Sequence, residues 1–112
     1  MKLKIGSKEF DLIDCTDFYS RFKGFMFTKN IDHCLRFSKC NSIHTFFMLS
    51  DIDVVMTDKD NNVLFVYHKL KPWRVILPKK GVYNVYELPS GSVSEIDKII
   101  VSWCFRRYLC CL

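Results

Sequence analysis

The stretch "DVVMTDKDNNVLFVYHK", Asp53 to Lys69, decides how this chain is read. Two blocks of branched and aromatic residues flank "DKDNN", whose Asp and Asn side chains tolerate turn conformations and bond to nearby backbone. The pattern predicts a β-hairpin with the turn's charges turned to water. The same rhythm runs outward on both sides. "HCLRFS", "SIHTFFML", "WRVIL" and "YNVYELP" are short apolar blocks parted by turn formers, as in a mainly antiparallel sheet. "KLKI" and "KEFDLI" alternate around Gly6-Ser7 as an opening hairpin, and "DKIIVSWCF" supplies a last strand. One helix is expected: Asp14 or Thr16 caps "DFYSRFKGFMF", in which Phe18, Phe22, Phe25 and Met26 recur at helical spacing and Gly24 ends or bends the turn. The expected fold is therefore α+β, a curved, mainly antiparallel sheet or small open barrel with one short helix packed on it.

A chain of 112 residues supports one hydrophobic core. No repeat, linker or low-complexity stretch divides it, so residues 1–112 are read as a single domain. Apolar residues at 49% and charged residues at 26% exclude the composition of disordered chains. Ten Phe, five Tyr and two Trp predict a ring-rich core, and the scattered Met26, Met48 and Met56 read as gap-filling packing within it. "MKLKIGSKEF" lacks the apolar run of a signal peptide. The most apolar segment, "IIVSWCFRRYLCCL" over 99–112, carries Arg106 and Arg107 and falls short of the roughly 20 residues a membrane span needs. With six cysteines and no export signal, the expectation is a cytoplasmic chain with reduced thiols and no membrane span.

The net charge of +5 is concentrated. Lys69, Lys71, Arg74, Lys79 and Lys80 fall within "KLKPWRVILPKK" with no acid among them and Trp73 in the middle. Cations interleaved with an aromatic ring can hold nucleic acid, but none of the recurring nucleic-acid motifs is present, and the segment reads first as a solvated connection bent by Pro72 and Pro78.

Five motifs in order, "RFKGFMF", "CNSIHTFFM", "IDVV", "LKPWR" and "ELPSG", resemble the family numbered 192 among the domains of unknown function. The resemblance spans about residues 21–91. It implies a compact, β-rich bacterial or archaeal domain with a short helix, occurring as a small stand-alone protein or as an exported domain, and it implies no activity. The matching positions are Arg21, Gly24, Met26 and Phe27, then His44, Thr45 and Met48, then Ile52, Asp53 and Val54, then Pro72 and Trp73, and finally Glu87, Leu88, Pro89 and Gly91. Ser50 and Asp51 stand where the family commonly has an aromatic residue and a proline, the stretch after "ELPSG" is shorter, and "SWCFRRYLCCL" matches nothing in the pattern.

His44 and Asp53 lie on consecutive strand-like blocks, so a hairpin through "LSDI" would bring imidazole and carboxylate together. Such a pair can serve acid-base catalysis, but without a nucleophile it reads first as a buried polar cluster that pins strands. Glu87 either pairs with Arg21 or Arg74 or joins His44 and Asp53 in one pocket, with Trp73 and Arg74 as its wall. His33, Cys34, Cys40 and His44 offer zinc ligand types, yet their spacing is looser than in structural zinc sites and alternation parts His33 from Cys34, so no metal or other cofactor is expected. No P-loop, dinucleotide fingerprint or serine elbow is present. The reading is a small bacterial, non-catalytic binding or accessory module, monomeric or weakly dimeric, taking a small polar ligand or a protein partner at a His44, Asp53 and Glu87 cluster, without nucleic acid. The alternatives are an enzyme using His44 and Asp53 for acid-base chemistry and a protein-interaction module using the basic Trp73 segment.

Overall fold

A computed structural model describes residues 2–5, 8–17 and 23–93, together with the backbone of 100–102. Among the described residues nine strands follow one another: β1 (Lys2–Ile5), β2 (Lys8–Asp14), β3 (Cys34–Ser38), β4 (Ile43–His44), β5 (Ile52–Thr57), β6 (Val63–Leu70), β7 (Val75–Ile76), β8 (Asn84–Pro89) and β9 (Ile100–Ser102). Seven of them form one sheet in the order β6-β5-β8-β3-β2-β1-β9, while β4 and β7 pair in a separate ribbon. All pairings are antiparallel except that of β2 with β3. At that parallel seam Arg36 donates from Nε and one terminal nitrogen to the two oxygens of Asp14, at 3.2 and 2.8 Å, fixing the register side by side.

The α+β expectation is corrected: the described residues are nearly all β, arranged as a curled half-barrel sheet, with no helical element among them. Part of the expected helix, residues 18–22, lies outside the described residues, and Arg21 with it. Of "KGFMF", Lys23 has helical backbone and Gly24 to Phe27 form turns. Gly24 at φ +49° and Phe27 at φ +62° are left-handed, which no continuing α-helix accommodates. Phe25 and Met26 are buried because that turn folds over the sheet, so their spacing imitated a helical face. No helix among the described residues is long and apolar enough to cross a membrane. Of the apolar tail, only the strand β9, paired with β1, is described.

The hairpin of β5 and β6 forms as its turn residues require. Asp58 Oδ1 accepts the backbone N–H groups of Asp60 and Asn62, both at 2.9 Å, and Asn61 takes the left-handed conformation at φ +64°. Strands β5 and β8 are central and covered on both faces, so nearly every side chain in "IDVVMT" and "NVYELP" is buried. Alternation then sorts them into two cores. Val54, Met56 and Val85 join Phe25, Phe37, Met48 and Ile76 on one face. Val55, Tyr86 and Leu88 join Leu3, Leu12, Cys34 and Val93 on the other. Burial that complete leaves two acids, Asp53 and Glu87, inside the protein.

Candidate functional site

Register decides which acids can meet. Asp53 stands opposite Leu88, and Val54 stands opposite Glu87. Cross-strand partners share a face, so Glu87 belongs with Val54 and Leu35 while Asp53 belongs with Leu88 on the reverse side. The two carboxyl groups are therefore parted by the sheet. The expected hairpin through "LSDI" is also absent, because β4 pairs with β7, placing His44 opposite Val75.

Asp53 has its own task. Pairing of β5 with β6 slips between Ile52 and Val54, and Lys69 adopts φ +50° at that irregularity. Asp53 Oδ1 accepts the Lys69 N–H at 2.9 Å, and Oδ2 accepts the Val93 N–H at 3.0 Å. Its carboxylate thus fastens a bulge in β6 to the turn that follows β8, giving each buried amide an acceptor.

Glu87 is fully buried, and its surroundings contrast with those of Asp53. The backbone N–H of Phe25 donates to its carboxyl group, but Oε2 finds no hydrogen-bond partner among the described residues. Burial pushes its pKa up to about 8 against the opposing pull of the Phe25 N–H, so the group is mostly neutral at pH 7. Gly24 lies directly against it: a Cβ at that position would sit 3.1 Å from Oε1 and 3.3 Å from Oε2. With the left-handed φ already required there, Gly24→Ala is expected to cost about 1–3 kcal/mol, lowering the urea midpoint by about 1 M. An unchanged midpoint in a urea titration would show that the turn is not pressed on the carboxyl group.

A cavity of about 80 Å³ opens beside Glu87. Lys23, Gly24, Cys40, Ser42 and His44 line it with the apolar Phe37, Met48 and Val85. Here the structure brings together two of the candidate residues, His44 and Glu87. Trp73 and Arg74 do not line it; both are exposed on the loop before β7. Cys40 Sγ donates to the Ser42 carbonyl at 3.1 Å, whereas Cys34 is buried on the reverse face, where the apolar surroundings push its thiol up to about 12. His33 pairs with Asp32 and packs its ring edge-on against Phe25. Among the described residues no three His, Cys, Asp or Glu side chains gather as a metal would require.

One organising residue, Thr45, appeared in the sequence reading only as a family-matching position, with no role assigned. Thr45 is fully buried, its N–H donates to the Arg74 carbonyl, and its carbonyl accepts the Trp73 N–H. Its hydroxyl donates to the Lys71 carbonyl at 2.7 Å and accepts the Arg74 N–H at 2.8 Å. Thr45 thereby ties "LKPWR" to the segment that carries His44. The only sequence signal was a threonine within an otherwise aromatic run, inside one motif and facing another.

Comparison with known proteins agrees with this architecture. The family model DUF192, described as "Uncharacterized ACR", matches residues 1–98. A UPF0127 protein of Thermococcus kodakarensis is 38% identical over 95 residues, covering 77% of this chain and 60% of that protein. A UPF0127 protein of Pyrococcus abyssi is 41% identical over 81 residues, covering 67% of this chain and 68% of that protein. Both are archaeal, in contrast to the bacterial expectation. The chain spans 55% to 61% of the length of the three Thermococcus relatives it matches. Among solved structures, a protein of unknown function from Novosphingobium aromaticivorans superposes with a TM-score of 0.74 at 16% identity, over 89% of this chain and 84% of that one. At that identity the likeness is one of fold.

Proposed function

We propose, from the premise that this chain belongs to the DUF192 family, that it is a non-catalytic module binding a small polar ligand in the cavity between Glu87 and His44. The observation that carries this reading is Glu87 Oε2, a buried oxygen with no partner among the described residues, on a residue that lines a cavity. In the neutral acid the oxygen facing the Phe25 N–H acts as acceptor and the other bears the proton. A buried hydroxyl without an acceptor is costly. A ligand presenting a carbonyl, hydroxyl or carboxylate oxygen would satisfy it, and the volume limits that ligand to a few heavy atoms.

The catalytic alternative has weaker support. Both oxygens of Asp53 already accept backbone N–H groups, and its side chain lies across the sheet from the cavity that His44 lines. In the binding reading the chain acts as one domain, monomeric or weakly dimeric, in the cytoplasm, where the thiols of Cys15, Cys34 and Cys40 stay reduced.

The test is a titration of isotopically labelled protein with small amides, alcohols and carboxylates, followed through the Gly24 and Phe25 backbone amide signals. At least one acceptor-bearing compound is expected to move both, with a Kd on the order of millimolar for so few atoms, and Glu87→Ala is expected to abolish the shift. If every compound leaves the two signals in place, the reading fails.

A further inference from the structure

The second unusual feature lies outside the cavity and meets its lining only at His44. Phe27 is 65% exposed, Phe47 46% and Trp73 57%. All three hold left-handed backbone, at φ +62°, +62° and +65°. Aromatic residues rarely adopt that conformation, and each instance stores strain. Here the strained positions share one surface. Phe27 lies 5.6 Å from Phe47, Phe47 lies 4.8 Å from Trp73, Trp73 lies 5.8 Å from Phe46, and Phe46 stacks on His44 at 5.0 Å. Hydrogen bonds hold the backbone beneath: Phe27 N–H to the Phe47 carbonyl at 3.0 Å, and Trp73 N–H to the Thr45 carbonyl at 3.0 Å. Rings in a folding core would be buried, so a braced and exposed row of them is an interaction surface.

We infer that this row docks on an anionic lipid membrane, with Phe27, Phe47 and Trp73 entering the headgroup region and Lys71 and Arg74 holding the negative surface. Three observations select that occupant. The exposed cations Lys71 and Arg74 flank Trp73 in sequence, and the run from Lys69 to Lys80 has no acid; Asp51, 3.9 Å from Lys71, is the nearby counter-charge. Aromatic rings beside Lys and Arg are the composition of interfacial anchors, which anionic headgroups attract. A second copy of this chain is disfavoured, because an isologous contact would bring like cations face to face. Single-stranded nucleic acid needs open ring faces for stacking, and Trp73 already has neighbours at 4.8 and 5.8 Å, inclined at 61° and 34°.

The test uses the full chain carrying Trp103→Phe, so that Trp73 is the single indole, mixed with vesicles of phosphatidylcholine alone or with phosphatidylglycerol. Sedimentation is expected to show at least about tenfold stronger partition onto the anionic vesicles, weakened as added salt shortens the screening length, with a blue shift of Trp73 emission. Trp73→Asn, which retains a residue tolerant of left-handed backbone, and Arg74→Glu, a surface change, are each expected to weaken partition about tenfold. Equal partition onto both vesicle types overturns the inference. So does retention by an oligonucleotide or an acidic peptide with no vesicle binding, and so does vesicle binding that both substitutions leave intact. Because Glu87 takes no part in this surface, failure here leaves the cavity reading standing, and failure of the cavity titration leaves this one.

Discussion

Replacing Asp53 by Asn is expected to lower the melting temperature on the order of 15 °C, one of two large effects tied to the buried acids. The carboxylate gives one oxygen to the Lys69 N–H and the other to the Val93 N–H. Asn keeps one acceptor and turns an NH2 group toward the second amide, so one charge-assisted bond is lost and two donors confront each other in a site sealed from water. That combination costs on the order of 3 kcal/mol, and in a domain of about 100 residues each kcal/mol moves the midpoint by about 4–8 °C. Asp53→Ala leaves both amides unsatisfied and is expected to cost more, about 4 kcal/mol. Calorimetry of the purified protein checks both; a loss below about 1 kcal/mol would mean that the bulge and the turn do not depend on the carboxylate.

The second large effect is a pH dependence owed to Glu87. Its folded pKa is raised from its ordinary 4.5 to about 8, so between those values the folded chain holds a proton that the unfolded chain has released. The unfolded state binds fewer protons across that window, and stability therefore falls as pH rises from about 4.5 to about 8, by on the order of 5 kcal/mol in all, then levels off. Glu87→Gln cannot ionise. Its stability is expected to remain flat where that of the wild type declines, so that the variant becomes the more stable protein above pH 8. Chemical denaturation of both proteins at pH 5, 6.5 and 8.5 reads the difference, with contributions of other groups common to both. Parallel curves would show that Glu87 is solvated rather than buried neutral.

Much of the strand layout could be read from single segments. "DKDNN" announced its hairpin because Asp58 supplies the bonds that close the turn, and "KLKI" with "KEFDLI" announced theirs by alternation. What local pattern could not supply was the face each acid occupies. That depends on β8 pairing with β5 in one register, Val54 to Glu87, across a separation of more than thirty residues. A slip of one position would have put Asp53 and Glu87 on the same face. The helix was misread for a related reason: Phe25 and Met26 are buried by a turn bearing down on the sheet, and apolar spacing records burial without recording the backbone that achieves it. The left-handed Phe27, Phe47 and Trp73 gave no signal, since nothing in an aromatic residue advertises positive φ. Glu87 was named as a residue to place, and its separation from Arg74 and Asp53 emerged only with the pairing.

The position of β8 has a consequence for how the protein comes into being. It is the strand that joins the β5–β6 ribbon to β3, and with it to β2 and β1. Until residue 89 has left the ribosome, the nascent polypeptide holds two unconnected ribbons, each with greasy side chains such as Val54 and Leu35 bare to water. Nothing durable can therefore assemble until β8 has been made, and a pause shortly before Asn84 would leave the chain at its most adhesive.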